Sequence, residues 1–416
     1  MTDEINLVNI YSFITPAAVV MIVMEIIYCF FKRKDYINFP DAITNLGTAL
    51  GNQCVNLFVA FVVIVSFGKI YDYRLMTIET TWVNFIILLV LFDFLFYWYH
   101  RHNHTINFLW AAHMPHHTSE EFNLFVAVRA SITQRLFSFT YLWPLALLGF
   151  KPEAIYAASA VQLFLAFWHH TRTIGRMKWF ELIFNSPSYH RIHHAINEKY
   201  LDKNFGEIFI LWDKWFGTYA EETEEPVYGA LTPVASWNPN KIYWHYWMVL
   251  WRDACHTKSW WDKIRLWFMP LGWRPEDCRN IPRYRVNEKT LVKFNTPVSS
   301  GTKNYLILSS ILGTGLMFIT INLQWPLSVA ERVMLTGLVW HMITNWGGML
   351  ESKEWARHSD GFFIFFESMM LSYLVYTYEL DHLKPIVIAY FGFRLVAHAL
   401  WRVTATKTFK TSLAQD

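Results

Sequence analysis

Nine long stretches of mostly apolar residues constrain this chain more than any other feature of its sequence. They run over about residues 10–31, 46–70, 81–100, 134–150, 154–170, 304–323, 332–350, 362–379 and 386–401. A helix needs about 20 mostly apolar residues to cross a membrane. The pattern therefore predicts an all-α integral membrane protein, a bundle of many spans. The stretches 134–150 and 154–170 are expected to form a helical hairpin that need not cross fully.

The composition excludes several other classes of protein. Apolar residues make up 54% of the 416 residues and charged residues only 17%, whereas a typical soluble domain has about 25% charged residues. The net charge of +3 gives no reason to expect a nucleic-acid partner. The four cysteines are scattered and form no C-x-x-C motif. They therefore indicate neither a disulfide framework nor a thiolate metal site.

Basic residues orient the predicted spans. Lys32, Arg33 and Lys34 follow the first stretch, and cytoplasmic loops carry an excess of lysine and arginine. If these three residues are cytoplasmic, alternation of the spans places the chain after His100 and after His170 on the same side. We expect four parts in the chain: N-terminal spans at 1–80, a histidine-rich cytoplasmic cap and core at 81–220, a tryptophan-rich cytoplasmic or interfacial segment at 221–300, and C-terminal spans at 301–416.

The segment after the core is unusually rich in tryptophan. Eight of the 21 tryptophans lie between Trp237 and Trp273, where they mix with lysine and arginine. This composition predicts a helix that lies in the membrane interface with its indole rings at headgroup level. The alternative is a tryptophan-rich core that packs on the bundle.

Eleven of the 17 histidines fall between residues 100 and 194, and eight of them form three ordered groups. One group has the spacing H-x-x-x-H and two have H-x-x-H-H; their members are His100, His104, His113, His116, His117, His190, His193 and His194. Residues three or four apart share a helix face, so each group should present its imidazoles toward one point. One metal ion takes about four to six ligands, and neutral imidazole suits iron, zinc and copper. Eight histidines therefore predict two ions at one side of the membrane.

His170 ends the fifth apolar stretch on the same side of the membrane, and we expect it to be a ninth ligand. His102 and His169 lie off the helix faces that carry the predicted ligands, so we regard them as weaker ligand candidates. The histidines outside residues 100–194 have no partner at ligand spacing, so we expect them to be structural.

Several ionisable residues lie inside the predicted spans, where a charge is costly unless it is paired. Asp93 follows the same helical stripe as His100, and we expect its carboxylate to orient a ligand imidazole by a hydrogen bond. Pairing of Asp93 with a basic residue such as Arg101 or Arg129 is the alternative. Glu25, Glu367 and Arg394 either line a substrate cavity or pair with one another.

At the histidine groups the sequence resembles the fatty acid hydroxylase/sterol desaturase superfamily. The matching strings, over about residues 85–220, are DFLFYWYHRHNH, LWAAHMPHHTSEEFN, SYHRIHHAIN and LDKNFGEIFILWDKWFGTY. Within the superfamily the chain is most similar to the alkylglycerol monooxygenases. That similarity rests on the strings TSEEFNLFVAVRAS, FWHHT and VYGALTPVASWNP and on the four C-terminal apolar stretches.

The resemblance implies a di-iron centre without haem, held mainly by histidine, that uses dioxygen to insert oxygen into a lipid C–H bond. For the alkylglycerol monooxygenases it implies hydroxylation of the ether-linked carbon, with tetrahydrobiopterin as electron donor. Because the sequence has no G-x-G-x-x-G fingerprint, electrons must come from a diffusible reductant or a partner protein. Asn123 and Arg129 are candidates for contacts with a pterin or a lipid head group, with a solvated face as the alternative. The expected membrane is the endoplasmic reticulum in a eukaryote and the inner membrane in a bacterium.

Three other functions fit parts of the pattern. A sterol or fatty-acyl hydroxylase or desaturase of the same superfamily would use the same ligands. A metal transporter usually places ionisable residues near the middle of the bilayer, whereas these histidines gather at one side. A hydrolytic zinc site typically needs three protein ligands and one open position, which is fewer than eight or nine histidines.

Overall fold

The regular secondary structure of the chain is helical in the computed structural model, which describes residues 10–412. The helices are Ile10–Lys32 (α1), Phe39–Asp72 (α2), Trp82–Asn103 (α3), Asn107–His117 (α4), Leu124–Ala127 (α5), Gln134–Leu148 (α6), Pro152–Trp168 (α7), Pro187–His193 (α8), Leu211–Phe216 (α9), Pro239–His256 (α10), Trp260–Arg265 (α11), Ser300–Ile321 (α12), Val329–Leu350 (α13), Glu354–Thr377 (α14) and Lys384–Ser412 (α15). Within this range the backbone forms isolated β-bridges but no strand. The predicted all-α class is confirmed.

All nine apolar stretches are helical, as α1, α2, α3, α6, α7 and α12–α15. Among the residues that the structure describes, four segments are long and apolar enough to cross a membrane, namely Phe39–Asp72, Trp82–Asn103, Ser300–Ile321 and Asp381–Thr404. The chain is therefore an integral membrane protein. The outer ends of the predicted parts 1–80 and 301–416, residues 1–9 and 413–416, lie outside the described residues, and the four-part division stays a prediction.

Local chemistry sets the helix ends that matter for the histidines. Thr81 caps α3, because its Oγ1 accepts a hydrogen bond from the backbone N–H of Asn84 (3.3 Å). Ser186 caps α8 by accepting from the backbone N–H of Tyr189 (3.4 Å), and Pro187 occupies the first turn, where its missing N–H costs nothing. These caps fix where the helices that carry His100 and His190 begin.

The chain divides into two compact units, one made of residues up to 38, 58–234 and 243–293, and one made of residues 39–57, 235–242 and 294 onward. In the first unit α3 packs against α6 and α7 around Leu88, Phe92, Leu145 and Ala158, which are all buried. Small residues in α7 let the helices approach closely, as is common within membranes. The histidine-bearing helices belong to this unit.

The second unit contains α12–α15 and buries a cluster of charged side chains. Arg394 on α15 is completely buried. Its guanidinium lies 3.3 Å from a carboxylate oxygen of Glu367 and 3.7 Å from one of Asp360, and it donates to the hydroxyl of Tyr305 (2.9 Å). The predicted pairing of Glu367 with Arg394 is therefore observed, whereas Glu25 lies in the first unit and accepts a backbone hydrogen bond there.

Candidate metal centre

Short helices bring all nine predicted ligand histidines into the first unit. His100 lies in the last turn of α3 and His104 is its C-cap residue. The second motif forms the end of α4, and the third forms α8 with His194 as C-cap. His170 follows the C-cap residue of α7. All three motifs and His170 therefore lie at or just beyond helix ends.

The nine imidazoles form two groups, and within each group the candidate ligand atoms lie within 4.8 Å of one another. One group has five members and the other has four: His100, His104, His113, His117 and His193, and then His116, His170, His190 and His194. The expectation that each motif points to one place is wrong, because each H-x-x-H-H motif contributes to both groups. Consecutive residues differ by about 100° around a helix, so neighbouring histidines face different centres.

The distances between ring nitrogens fit shared metal ions. The Nε2 atom of His113 lies 3.1 Å from that of His100 and 3.0 Å from that of His117. In the other group, the Nε2 atom of His170 lies 3.2 Å from that of His116 and 2.9 Å from that of His190. Two imidazoles bound to one ion at about 2.1 Å would place their nitrogens about 3.0–3.4 Å apart. Each group could therefore hold one metal ion.

Backbone carbonyls orient four of the rings. The Nδ1–H groups of His100, His116 and His193 donate to the carbonyls of Phe205, Arg129 and Lys203 respectively, each at 2.9 Å. His170 donates in the same way to the carbonyl of Ala166 at 3.0 Å. This arrangement fixes the tautomer and leaves the Nε2 lone pair available as a ligand.

Three buried Nε2 atoms, those of His104, His193 and His194, have no hydrogen-bond partner in the described part of the chain. A buried acceptor without a partner is costly, and a bound cation would satisfy it. Burial holds the pKa of His193 and His194 well below the usual value, and nearby histidine charges lower it further. The rings are therefore neutral near pH 7, which is the form that binds a metal.

Acidification is expected to destabilise the metal-free protein. Burial keeps the pKa of His117, His193 and His194 well below the usual 6.5. As pH falls through about 6.5, the unfolded chain takes up protons that these buried rings do not, so the free energy of unfolding falls. The loss is up to about 1.4 kcal/mol per pH unit for each histidine. Thermal unfolding of chelator-treated protein between about pH 7.5 and 5.5 checks this, and a constant Tm would contradict it.

Asp93 supports the centre through the backbone. Its carboxylate accepts hydrogen bonds from the backbone N–H groups of Ile208 (2.9 Å) and Phe209 (3.1 Å) and from the indole of Trp212 (2.8 Å). The structure gives Asp93 these partners in place of the imidazole or the arginine that the sequence suggested. Asp93 therefore anchors the loop at 205–210, and this loop supplies the carbonyl that orients His100.

Asp213 anchors the same loop from its other end. Its carboxylate accepts from the backbone N–H groups of Phe205 (2.8 Å) and Gly206 (2.7 Å) and from the hydroxyl of Thr218 (2.7 Å). A side chain at Gly206 would place its Cβ 2.3 Å from the carbonyl oxygen of Phe209, so only glycine fits there. Gly217, the C-cap residue of α9, has a φ of +76°, a left-handed conformation that glycine adopts without strain.

Replacing Asp213 by asparagine is expected to lower metal affinity by about 10–100-fold, because an amide nitrogen would face a backbone N–H and the carbonyl of Phe205 would lose its position. Metal retained against increasing chelator measures the effect. Asp381→Asn is the control, since that carboxylate is 73% exposed. Equal retention by the two variants would contradict the role of Asp213.

Sequence reasoning missed Glu207, a buried carboxylate whose oxygen lies 3.9 Å from Nδ1 of His100. Burial, followed by the charge of Asp93, raises the pKa of Glu207 to about 8. A single glutamate within an apolar string has no repeated spacing, so the sequence offered no signal for it. This group could hold a proton beside the metal-binding histidines.

Asn123 and Arg129, the predicted pterin or head-group contacts, have partners within the protein. Asn123 caps α5 by accepting from the backbone N–H of Phe125 (3.0 Å) and donates to the carbonyl of Tyr36 (2.7 Å). The guanidinium of Arg129 donates to the carbonyl of Pro115 (2.9 Å), inside the second histidine motif. Binding of a ligand by these two residues stays a prediction.

Comparisons with known proteins agree with this centre. Residues 85–218, which contain all nine candidate ligand histidines, match the family model described as Fatty acid hydroxylase. The chain is 29% identical to the alkylglycerol monooxygenase of Homo sapiens, covering 90% of this chain and 83% of the relative. It is 28% identical to that of Danio rerio over 94% of this chain and 88% of the relative. It is 30% identical to that of Xenopus tropicalis over 69% of this chain and 64% of the relative.

No solved structure matches the chain. The family-model match and the relatives confirm the resemblance that the histidine motifs indicated. The chain therefore carries a fatty acid hydroxylase domain at residues 85–218, and it is similar to alkylglycerol monooxygenases along most of its length.

Proposed function

We propose that this chain is a membrane-bound di-iron monooxygenase that hydroxylates the ether-linked carbon of alkylglycerols. The broader function, an oxidoreductase acting as a lipid monooxygenase, is supported by the Fatty acid hydroxylase match and by the alkylglycerol monooxygenase relatives. The observation that carries the proposal is the pair of buried histidine groups, with five and four members, whose nitrogens converge. Eight or nine imidazoles exceed the three ligands that a hydrolytic zinc site typically uses.

The two groups are the proposed ligands of two iron ions. Bound there, iron would supply the activation of dioxygen that an unreactive aliphatic C–H bond requires. The protein's own contribution is to keep the imidazoles neutral, to fix their tautomers through backbone carbonyls such as those of Phe205 and Lys203, and to exclude water. The carboxyl group of Glu207, with an oxygen 3.9 Å from the Nδ1 of His100, would be placed to hold or release a proton beside the centre.

The position of α3 suits a lipid substrate. His100 lies in the last turn of a helix that can span a membrane, so the proposed iron site is at a membrane boundary. A lipid could hold its tail in the membrane while its ether carbon reaches the site. Hydroxylation of that carbon gives a hemiacetal, which collapses to a fatty aldehyde and a glycerol product.

The remaining parts of the proposal concern the reductant and the location. Tetrahydrobiopterin is the proposed external electron donor, in line with the similarity to alkylglycerol monooxygenases. We place the histidine site on the cytoplasmic side because Lys32, Arg33 and Lys34 lie at the end of the first helix and directly after it. The membrane would be the endoplasmic reticulum in a eukaryote or the inner membrane in a bacterium.

Turnover by purified, iron-loaded protein tests the proposal. We expect fatty aldehyde from an alkylglycerol in the presence of dioxygen and tetrahydrobiopterin, and no aldehyde from the acylglycerol of the same chain length, which lacks the ether carbon. Aldehyde formed under ¹⁸O₂ and reduced at once to the alcohol should carry the label. A hydroxylated sterol or fatty-acyl product with no aldehyde would replace the ether-lipid proposal. Bound metal without any dioxygen consumption would overturn the monooxygenase itself.

A further inference from the structure

The outer faces of α10 and α11 expose large apolar side chains. On α10, Trp244, Met248 and Trp251 follow the i, i+4, i+7 spacing of one helix face, and on α11, Trp260 and Trp261 lie outward; all five are between 45% and 79% exposed. The opposite face of α10 is buried against the first unit. We call these five exposed side chains the aromatic face. Apolar patches of this kind on soluble surfaces mark a binding site for a partner or a membrane.

Backbone hydrogen bonds join the chain next to the aromatic face to the chain at the end of a membrane span. The residues after α11 pair with the backbone just after α3: the N–H of Phe108 donates to the carbonyl of Trp267 (2.9 Å), and the N–H of Leu271 donates to the carbonyl of Thr105 (2.8 Å). The helix α3 can span a membrane and ends at Asn103. The paired segment therefore lies within a few residues of the point where the chain leaves the membrane.

Cations lie beside two indoles of this segment, the exposed Trp260 and the partly buried Trp273. The Lys263 ammonium lies 5.6 Å from the ring centroid of Trp260, and the Arg265 guanidinium lies 4.7 Å from that of Trp273. Tryptophan beside lysine and arginine is typical of the bilayer headgroup region, where the ring faces the acyl chains and the charge faces water or phosphate. A water-facing surface would not need four exposed tryptophans beside a membrane span.

We propose that the aromatic face rests in the headgroup region of the phospholipid bilayer that α3 enters. This inference goes beyond the proposed function and does not require turnover. It also has a consequence for the histidines. The residues after α11 pair with the link between His104 and α4 and with the first turn of α4, the helix that carries His113 and His117. The bilayer surface therefore sets the height of the histidine groups above the lipid.

The unaltered chain offers a probe for this proposal. Cys255 is exposed and continues the stripe of Trp244, Met248 and Trp251, whereas Cys29, Cys54 and Cys278 are buried. A fluorophore attached to Cys255 in phosphatidylcholine vesicles should be quenched by lipids that carry a spin label at the headgroup or at a shallow acyl position. Aqueous iodide should quench it at least about three-fold less than it quenches an exposed control label.

The control label is placed at Glu225→Cys in a Cys255→Ser background. Glu225 is exposed in the acidic run at 221–225, so iodide should quench its label and spin-labelled lipids should not. Iodide quenching at Cys255 equal to the control would overturn the proposal, because the face would be in water. A label at Cys255 that neither quencher reaches would also overturn it, because another protein surface would then cover the face.

Discussion

Replacing His193 by alanine is expected to lower fatty aldehyde formation by at least about 100-fold and to remove bound iron. His193 belongs to the group of five, its buried Nε2 has no partner in the described residues, and its ring centroid lies 4.4 Å from that of His100 and 4.8 Å from that of His117. Loss of a partner that only orients a ligand costs about 10–100-fold in metal affinity or activity, so loss of a proposed ligand should cost more.

Two measurements on the same preparation check this prediction: metal per chain by mass spectrometry and aldehyde per minute. The matched control is His102→Ala. His102 lies on α3 between two proposed ligands but belongs to neither group, and its Nδ1 lies 2.9 Å from the hydroxyl of Tyr141. The His102→Ala variant should keep its bound iron, and its turnover should stay within about two-fold of that of the unaltered chain. Iron and turnover retained by His193→Ala would contradict the assignment of this group.

The sequence identified the histidines that come together, but it did not reveal how they divide. His116 and His117 are adjacent, yet the structure places them in different groups. The same holds for His193 and His194. Sequence spacing records which residues share a helix face, whereas the division depends on where α4 and α8 lie relative to α3. Those positions follow from tertiary packing.

The groups that position the histidine rings could not be predicted from the sequence either. The carbonyls of Phe205 and Lys203 orient two rings, and a carbonyl leaves no mark in a sequence because every residue has one. Asp93 reaches a loop 115 residues away along the chain. A costly charge inside a span predicted that Asp93 has a partner, but the identity of that partner required the fold.

The helices were the most predictable feature, because a hydrocarbon environment leaves the backbone few alternatives to helix. The polar ends of the helices were less predictable. Helix α2 begins at Phe39, before the apolar stretch, where the amide of Asn45 donates to the carboxylate of Asp41 (2.8 Å). Polar residues that hydrogen-bond to one another extend a helix beyond its apolar stretch, and a hydropathy profile does not detect such residues.

Replacing Arg394 by methionine is expected to destabilise the second unit by about 3–5 kcal/mol. The substitution leaves the carboxylates of Glu367 and Asp360 buried without their cation, and breaking a buried ion pair from one side carries a cost of this size. The hydroxyl of Tyr390, which donates to Glu367 (2.9 Å), remains but does not replace the charge. The shift in the thermal unfolding midpoint of detergent-solubilised protein measures the effect.

Lys384→Met is the control for Arg394→Met, because the Lys384 ammonium is 54% exposed and its ion pair with Asp381 faces solvent. Exposed pairs contribute about 0–1 kcal/mol, so this variant should unfold close to the unaltered chain. The double variant Glu367→Gln with Arg394→Met should recover part of the loss, since it removes one unpaired carboxylate together with the cation. The contradicting outcome is a double variant whose loss of unfolding free energy equals the sum of the losses in the two single variants. The guanidinium and the carboxylate would then act independently, and they would not stabilise this unit as a pair.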